Sequence, residues 1–118
     1  PYQNKGVSII VTNLSLYTVT VTSVIWEFKK SITFYQPFDS RYSEKLPKKL
    51  EYGEQATLWI ELDESDTWIK EIAKGLKKQG ADPQDFRCVV SLTTGQTFSF
   101  KVNKSLIEKI KTYYHQIQ

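Results

Sequence analysis

Two side chains in this 118-residue chain are candidates for nucleophilic catalysis, but they are far apart in the sequence. Cys88 lies in an alternating segment, on the side predicted to face the core, and His115 lies near the end of the sequence. Because a nucleophile of this kind needs a base beside it, we expect Cys88 to be a buried thiol. The sequence predicts no enzyme activity and no cofactor. A single cysteine also gives no disulfide within the chain and favours a reducing compartment.

An acidic cluster is the next candidate for chemistry, as a metal site or an acid–base pair. It consists of Glu61, Asp63, Glu64 and Asp66, and the first two would share one face of a strand. The spacing does not match a calcium-binding loop, which also needs a glycine at its turn. Acidic residues are common at helix N-termini, where backbone N–H groups are free. We therefore favour helix capping and predict no metal site.

The strongest candidate for a binding surface is an aromatic and basic loop at residues 35–50. Aromatic rings can stack on nucleobases while cations contact phosphates, and the same residues can anchor a protein interface. Three interpretations stay open: the aromatic residues pack the loop onto the sheets, which we favour, or the loop binds a protein, or it binds nucleic acid or an anionic membrane. The candidate contact residues are Tyr35, Phe38, Arg41, Tyr42, Lys45, Lys48 and Lys49.

The charge of the chain is banded along the sequence. The net charge is +3, residues 29–49 hold six basic and two acidic residues, and residues 51–66 hold six acidic residues and no basic one. This falls short of the strongly basic composition of dedicated nucleic-acid binders. No apolar run is long enough for a membrane span, and the first 25 residues lack a signal-peptide pattern. Because the sequence starts at Pro1 and contains no methionine, we expect a segment of a longer protein or a processed product.

Period-two alternation predicts most of the elements that would position these residues. The apolar phase of the strand 19–28 shifts by one residue at Thr22–Ser23, which predicts a β-bulge. Residues 36–54 have no clean period, with room for one short strand. Trp59 is out of phase with Leu58 and Ile60, so we expect it on the face opposite the core, covered by the inserted helix through Trp68. The predicted strands are 7–12, 19–28, 32–35, 57–62, 86–92 and 98–102.

Two helices are predicted, one inserted at about 65–79 and one at about 104–115. Gly80 and Pro83 end the first, and Ser105 with Glu108 match a capping box for the second. The second helix carries an apolar stripe and is too short to be stable alone in water. We expect it to pack on its own domain, the alternative being self-association or another chain. The stripe consists of Leu106, Ile107, Ile110, Tyr113, Tyr114 and Ile117.

This element order predicts an antiparallel β-sandwich that forms a single domain over residues 1–118, with an α+β sheet backed by both helices as the alternative. Two segments strengthen the first choice. Val7–Ser15 leading into Val19–Val24 resembles the opening strand pair of prokaryotic immunoglobulin-like domains, where a V-x-N turn precedes a strand rich in threonine and valine. Leu50–Glu54 leading into Leu58–Ile60 resembles their L-x-P-G-E turn, with Tyr52 in place of the proline.

The resemblance implies an immunoglobulin-like sandwich, to which the inserted helix is an addition. By analogy it favours binding or scaffolding over catalysis. We therefore expect a non-catalytic interaction or scaffold domain of a larger bacterial or phage protein, with a protein partner. The alternative is a weak binder of nucleic acid or anionic surfaces that uses the loop 35–50.

Overall fold

A computed structural model describes residues 6–29, 32–38 and 40–117. Over these residues the protein is mainly β, with two sheets and two α-helices, as the sequence predicts. The short strand inside the irregular connection is present as β4. The elements are β1 Gly6–Thr12, β2 Val19–Phe28, β3 Ile32–Tyr35, β4 Lys48–Leu50, β5 Gln55–Glu61, α1 Thr67–Gln79, a 3₁₀ turn at Pro83–Asp85, β6 Phe86–Leu92, β7 Thr97–Lys101 and α2 Lys104–Gln116.

The strands form one small sheet and one larger sheet. β1 and β5 make a two-stranded antiparallel sheet in which Ile9 lies opposite Leu58. The larger sheet has the order β3-β2-β6-β7, and β4 also pairs with β2. β2 pairs antiparallel with β4 near its start and with β3 near its end. The predicted turn between β2 and β3 lies partly outside the described residues.

β2 contains the predicted change of phase. Val21 is buried, Thr22 is exposed, and burial resumes at Val24, Trp26 and Phe28. The alternation therefore shifts by one residue between Val21 and Val24, where the sequence predicts a bulge. β-branched and aromatic residues suit this strand because they pack well on a pleated, half-buried surface.

The described residues divide into two compact units. The first, here called the strand unit, comprises the residues up to Val24, Gln36–Leu62 and Val90–Phe98. The second, the helical unit, comprises Ile25–Tyr35, Asp63–Val89 and the residues from Ser99 onward. The strand unit buries mainly small and branched aliphatic residues, namely Val21, Val24, Leu50, Ala56, Leu58, Ile60 and Val90.

The core of the helical unit is aromatic. Trp26 stacks on Phe86 with ring centroids 4.8 Å apart, and Phe28 lies 4.5 Å from the same Phe86 ring. Trp68, at the start of α1, packs against Trp26 at 5.7 Å. Gly75 lets α1 approach Phe34, because a Cβ atom at position 75 would lie 2.9 Å from the Phe34 ring. Aromatic pairs of this kind stabilise a core beyond their buried area.

α1 begins two residues later than predicted, at Thr67. The Asp63 carboxylate accepts hydrogen bonds from the Thr67 backbone N–H at 2.9 Å and from its hydroxyl at 2.6 Å. These bonds lower the pKa of Asp63. The expected capping role is therefore confirmed for Asp63. The helix ends as predicted at Gly80, whose φ of 68° is a left-handed conformation that glycine adopts without strain.

α2 begins with a different cap from the predicted one. The Asn103 side chain accepts the Ser105 backbone N–H at 2.8 Å, so Asn103 is the N-cap and the predicted Ser105–Glu108 capping box is wrong. Asparagine is as good an N-cap as serine, and it comes two residues earlier in the chain.

The prediction that α2 packs on its own chain is confirmed within the helical unit. Ile107 and Ile110 are buried, and α2 contacts both α1 and the 3₁₀ turn. The Tyr113 hydroxyl donates to Asp66 at 2.7 Å. Lysines of α1 complete the contact, since Lys77 lies 4.4 Å from the centre of the Tyr114 ring. Self-association through α2 stays a prediction.

Candidate interaction surface

The loop between β1 and β2 is held by one buried polar side chain. Asn13 is 4% exposed. Its side-chain amide donates to the carbonyl oxygens of Tyr17 at 2.8 Å and Leu50 at 3.0 Å, and its side-chain oxygen accepts the Ser15 N–H at 2.8 Å. Each of these hydrogen bonds holds one backbone group of the loop or of β4 in place. Breaking a bond would leave a buried polar atom unpaired, which costs free energy.

The Asn13 backbone ties this loop to the turn before β5. Its N–H donates to the Glu54 carbonyl at 2.9 Å, and its carbonyl accepts the Gly53 N–H at 2.7 Å. Gly53 has a φ of 82°, in the left-handed region that favours glycine. Thr18 adds a hydrogen bond of 2.7 Å to the Glu51 carboxylate. The loop between β1 and β2 and the turn before β5 are therefore bonded to each other through Asn13.

The braced loop exposes large apolar side chains. Leu14 is 79% exposed, Leu16 85% and Tyr17 80%, and Tyr52 on the neighbouring turn is also exposed. We call these four residues the apolar loop surface. Single exposed apolar residues are normal on proteins, but a group of them on a fixed loop is typical of an interaction site. The nearby carboxylates of Glu51 and Glu54 are exposed too.

Within the strand unit, the predicted loop 35–50 is partly committed to its own contacts. Arg41 donates to the Tyr42 hydroxyl at 2.7 Å and lies 4.9 Å from the centre of that ring. Lys48 pairs with Glu44 at 3.2 Å. Phe38 is half-buried, in keeping with a packing role, while Lys45 and Lys49 are exposed. The remaining predicted residue of this set, Tyr35, is exposed on β3 and belongs to the helical unit.

The middle of this loop binds the outer edge of β5. The Ser43 hydroxyl accepts the Trp59 N–H at 3.0 Å, and the Glu44 carboxylate accepts the Thr57 N–H at 2.7 Å. The Glu44 N–H in turn donates to the Thr57 carbonyl at 3.0 Å. The bond from Thr57, followed by the contact with Lys48, lowers the pKa of Glu44.

Trp59 is half-buried and packs on β1. A Cβ atom at position 6 would overlap its indole ring, so Gly6 provides the space that the ring fills. Its Nε1 atom is buried without a hydrogen-bond partner among the described residues. The predicted cover of Trp59 by Trp68 stays a prediction, since Trp59 belongs to the strand unit and Trp68 to the helical unit.

Cys88, His115 and Asp66, the candidates for catalysis or metal binding, each have a separate structural role. Cys88 is buried, and burial raises the pKa of its thiol to about 11. His115 is exposed on α2 and packs edge-on against Tyr114. Asp66 accepts the Tyr113 hydroxyl and lies 3.7 Å from Lys109. Over the described residues, no group of three or more histidine, cysteine or acidic side chains could hold a metal ion.

Comparison with known proteins gives no family for this chain. No protein-family model, curated protein or solved structure shows significant similarity to it. The helices within the described ranges are too short or too polar to cross a bilayer.

Sequence reasoning missed the apolar loop surface. Between the predicted strands 7–12 and 19–28, the sequence analysis assigned no role to the side chains of residues 13–18. The sequence did contain a signal, since Leu14, Leu16 and Tyr17 lie in a segment without strand or helix periodicity. Apolar residues in such a segment are not predicted to point into the core. The V-x-N motif pointed to Asn13 but not to its bonding role.

Proposed function

We propose that this protein is a non-catalytic interaction domain that binds a partner protein through the apolar loop surface. The observation that carries this proposal is the bracing of the loop by buried Asn13 while Leu14, Leu16 and Tyr17 remain about four-fifths exposed. A loop kept only as a connection would not need both a buried polar anchor and apolar tips.

The bracing favours tight binding for a thermodynamic reason. Burying one large apolar side chain on a partner contributes about 1.5–3 kcal/mol. Ordering a flexible loop at the moment of binding would offset part of that gain. Here the backbone of residues 13–17 is already fixed by hydrogen bonds from Asn13, so less ordering remains to be done. Rigid aromatic and aliphatic anchors of this kind dominate the energetics of many protein interfaces.

The chemistry of the partner follows from the residues around the loop. Leu14, Leu16 and Tyr17 require an apolar cleft. The exposed carboxylate of Glu54 favours a basic residue at the rim of that cleft, whereas Glu51, also exposed, already lies 4.0 Å from Lys49 of this chain. The same carboxylates disfavour an anionic lipid surface. A protein cleft with a basic rim is therefore the partner that this surface fits.

The proposal extends to the fold family. The two segments that resemble motifs of immunoglobulin-like sandwiches are bonded to one another through Asn13, Leu50, Gly53 and Glu54. This contact supports the immunoglobulin-like architecture, and we propose such a domain as part of a larger bacterial or phage protein. Domains with this architecture commonly present their loops for binding.

Site-specific photo-crosslinking tests the proposed surface. A photoreactive phenylalanine analogue at Tyr17 should give one discrete adduct in bacterial cells, and the same analogue at exposed Thr33 of β3 should not. The substitutions Leu14→Ser and Leu16→Ser should remove the adduct without changing the far-UV spectrum. Equal labelling at Tyr17 and Thr33, or labelling that survives both serine substitutions, would contradict the proposal.

A second candidate function is weak binding of a polyanion by the loop 35–50. Its support is the exposed pair of Arg41 and Tyr42, a cation lying over an aromatic ring, with Lys45 and Lys49 also exposed. A single-stranded oligonucleotide is the probe. If phosphates are contacted, affinity should fall steeply as salt rises, and Arg41→Ala with Lys45→Ala should flatten that slope. Affinity independent of salt would exclude this candidate.

A further inference from the structure

Among the described residues, the outer edge of β1 in the two-stranded sheet has no partner strand. β1 pairs with β5 on one side only, since the sheet has two strands. Apart from β5, no described segment forms a backbone hydrogen bond with residues 7–12. An unpaired edge displays a row of N–H and C=O groups that can accept a further strand.

The hydrogen bonds on the far side of β5 show which backbone N–H and C=O groups of β1 point outward at this edge. Thr57 and Trp59 donate their N–H groups away from β1, to Glu44 and Ser43. Because backbone groups alternate in direction along a strand, Leu58 points toward β1 and bonds with Ile9, its partner in the register. On β1 the outward groups are therefore those of Gly6, Ser8, Ile10 and Thr12.

β1 also lacks the usual protection of an edge strand. Its seven residues include no charge and no proline, whereas native edges commonly carry lysine, proline or a bulge. β4, by contrast, is three residues long and contains Lys48 and Lys49. On β1 the side chain of Ile10 is 59% exposed. This edge is suited to pairing rather than guarded against it.

We propose that β1 pairs with β1 of a second copy of this chain, antiparallel and centred on a two-fold axis at Ile9. This register places Ser8 opposite Ile10 of the second copy and Gly6 opposite Thr12. The outward backbone N–H and C=O groups of one copy can then form hydrogen bonds with those of the other. Val7 then lies opposite Val11, and Ile9 lies opposite itself. A shift by one residue would set outward groups against groups already bonded to β5.

Three features of the strand select a second copy as the occupant. The strand is self-complementary over its whole length in the two-fold register. It has no charge, so symmetry brings no like charges together. Pairing also turns a two-stranded sheet, which is marginal on its own, into a four-stranded one.

A charge-swap experiment on the whole chain tests the pairing. Sedimentation of the wild-type protein over a concentration series should show a species of twice the 13.7 kDa chain mass. Ser8→Lys with Ile10→Lys opposes like charges in the proposed register, and so does Ser8→Glu with Ile10→Glu. Each double variant should self-associate at least about tenfold more weakly than the wild type. An equimolar mixture of the two should restore the dimer, because lysines then face glutamates.

Controls separate this edge from other surfaces. Ser8 and Ile10 are exposed, so at concentrations low enough for the wild type to be monomeric both double variants should keep its thermal midpoint. Thr33→Lys with Tyr35→Lys places the same charges on exposed positions of β3 and should leave the dimer intact. A wild-type chain that stays monomeric at every concentration overturns the proposal. So does a dimer that survives both charged variants, or a mixture that fails to associate.

Discussion

The strand unit and the helical unit distribute charge and apolar surface in opposite ways. The strand unit has five basic and five acidic residues, and the helical unit has eleven and eight, so the net charge of +3 lies in the helical unit. Most exposed large apolar residues lie in the strand unit, with Tyr35 and Phe100 as the described ones outside it. Apart from these two and exposed His115, the described aromatic residues of the helical unit are buried or half-buried, whereas the strand unit exposes several large apolar side chains.

The two units also differ in what holds them together. The helical unit depends on stacked rings around Trp26 and Phe86. The braced loop of the strand unit depends on hydrogen bonds from one amide, Asn13. Packing of large rings contributes stability that is lost when volume is removed, while a buried amide contributes by keeping its partners paired. Stability of the helical unit therefore depends on ring packing, whereas the conformation of the loop between β1 and β2 depends on the hydrogen bonds of Asn13.

The largest expected effect follows from removing the central ring of the helical unit. Trp26→Ala leaves a cavity beside Phe86 and Trp68, and it should lower the free energy of unfolding by about 3–5 kcal/mol. Urea denaturation followed by circular dichroism measures the change. Tyr35→Ala, at an exposed ring, is the matched control and should change stability by under about 0.5 kcal/mol. Similar losses for both variants would contradict the contrast between internal and external aromatic residues.

An intermediate effect is expected at Asn13. Asn13→Ala leaves the carbonyl oxygens of Tyr17 and Leu50 without this donor, and it should cost about 1–3 kcal/mol. Hydrogen exchange should show faster exchange of the Ser15 and Gly53 amides, because the loop loses its anchor. Leu16→Ala, on the same loop but exposed, should leave both amides and the stability unchanged. If Leu16→Ala is as destabilising as Asn13→Ala, the loop is held by packing and not by the amide.

The smallest effect concerns acid stability at Glu44. The pKa of this carboxyl lies below its usual value of 4.5, chiefly because the Thr57 N–H donates to it. The folded pKa is below the unfolded one, so the stabilisation is present above about pH 4.5 and is lost as the pH falls through the lowered pKa. Glu44→Gln should flatten the loss of stability in that range, and Lys48→Gln should do so to a smaller extent. Parallel acid-denaturation curves for wild type and Glu44→Gln would contradict this assignment.

The elements of the fold were predictable because they leave local periodic signals. The inward residues Val21, Val24, Trp26 and Phe28 follow from alternation with one slip, and Gly80 marks the end of α1 because glycine adopts the left-handed conformation. The cap of α2 was misplaced since Asn103 and Ser105 have similar capping strength and the sequence cannot rank them.

Long-range pairing and exposure were not predictable from local patterns. The pairing of β1 with β5 joins segments about 50 residues apart, and no turn between them fixes the register. The Asn13 side chain reaches the Leu50 carbonyl over a similar separation. Exposure of Leu14, Leu16 and Tyr17 depends on these contacts, so the candidate site emerged from the structure, while the sequence drew attention to residues 35–50.

The attachment of Ser43 and Glu44 to β5 has a consequence for stoichiometry. A sheet with two open edges can add chains at both ends and polymerise without limit, as cross-β fibrils do. Here the far side of β5 is occupied at Thr57 and Trp59, so a pair joined through β1 offers a third chain no equivalent edge at those positions. Such an interface is isologous and closes on itself. The irregular loop that contains Ser43 and Glu44 would thereby limit the proposed assembly to a dimer.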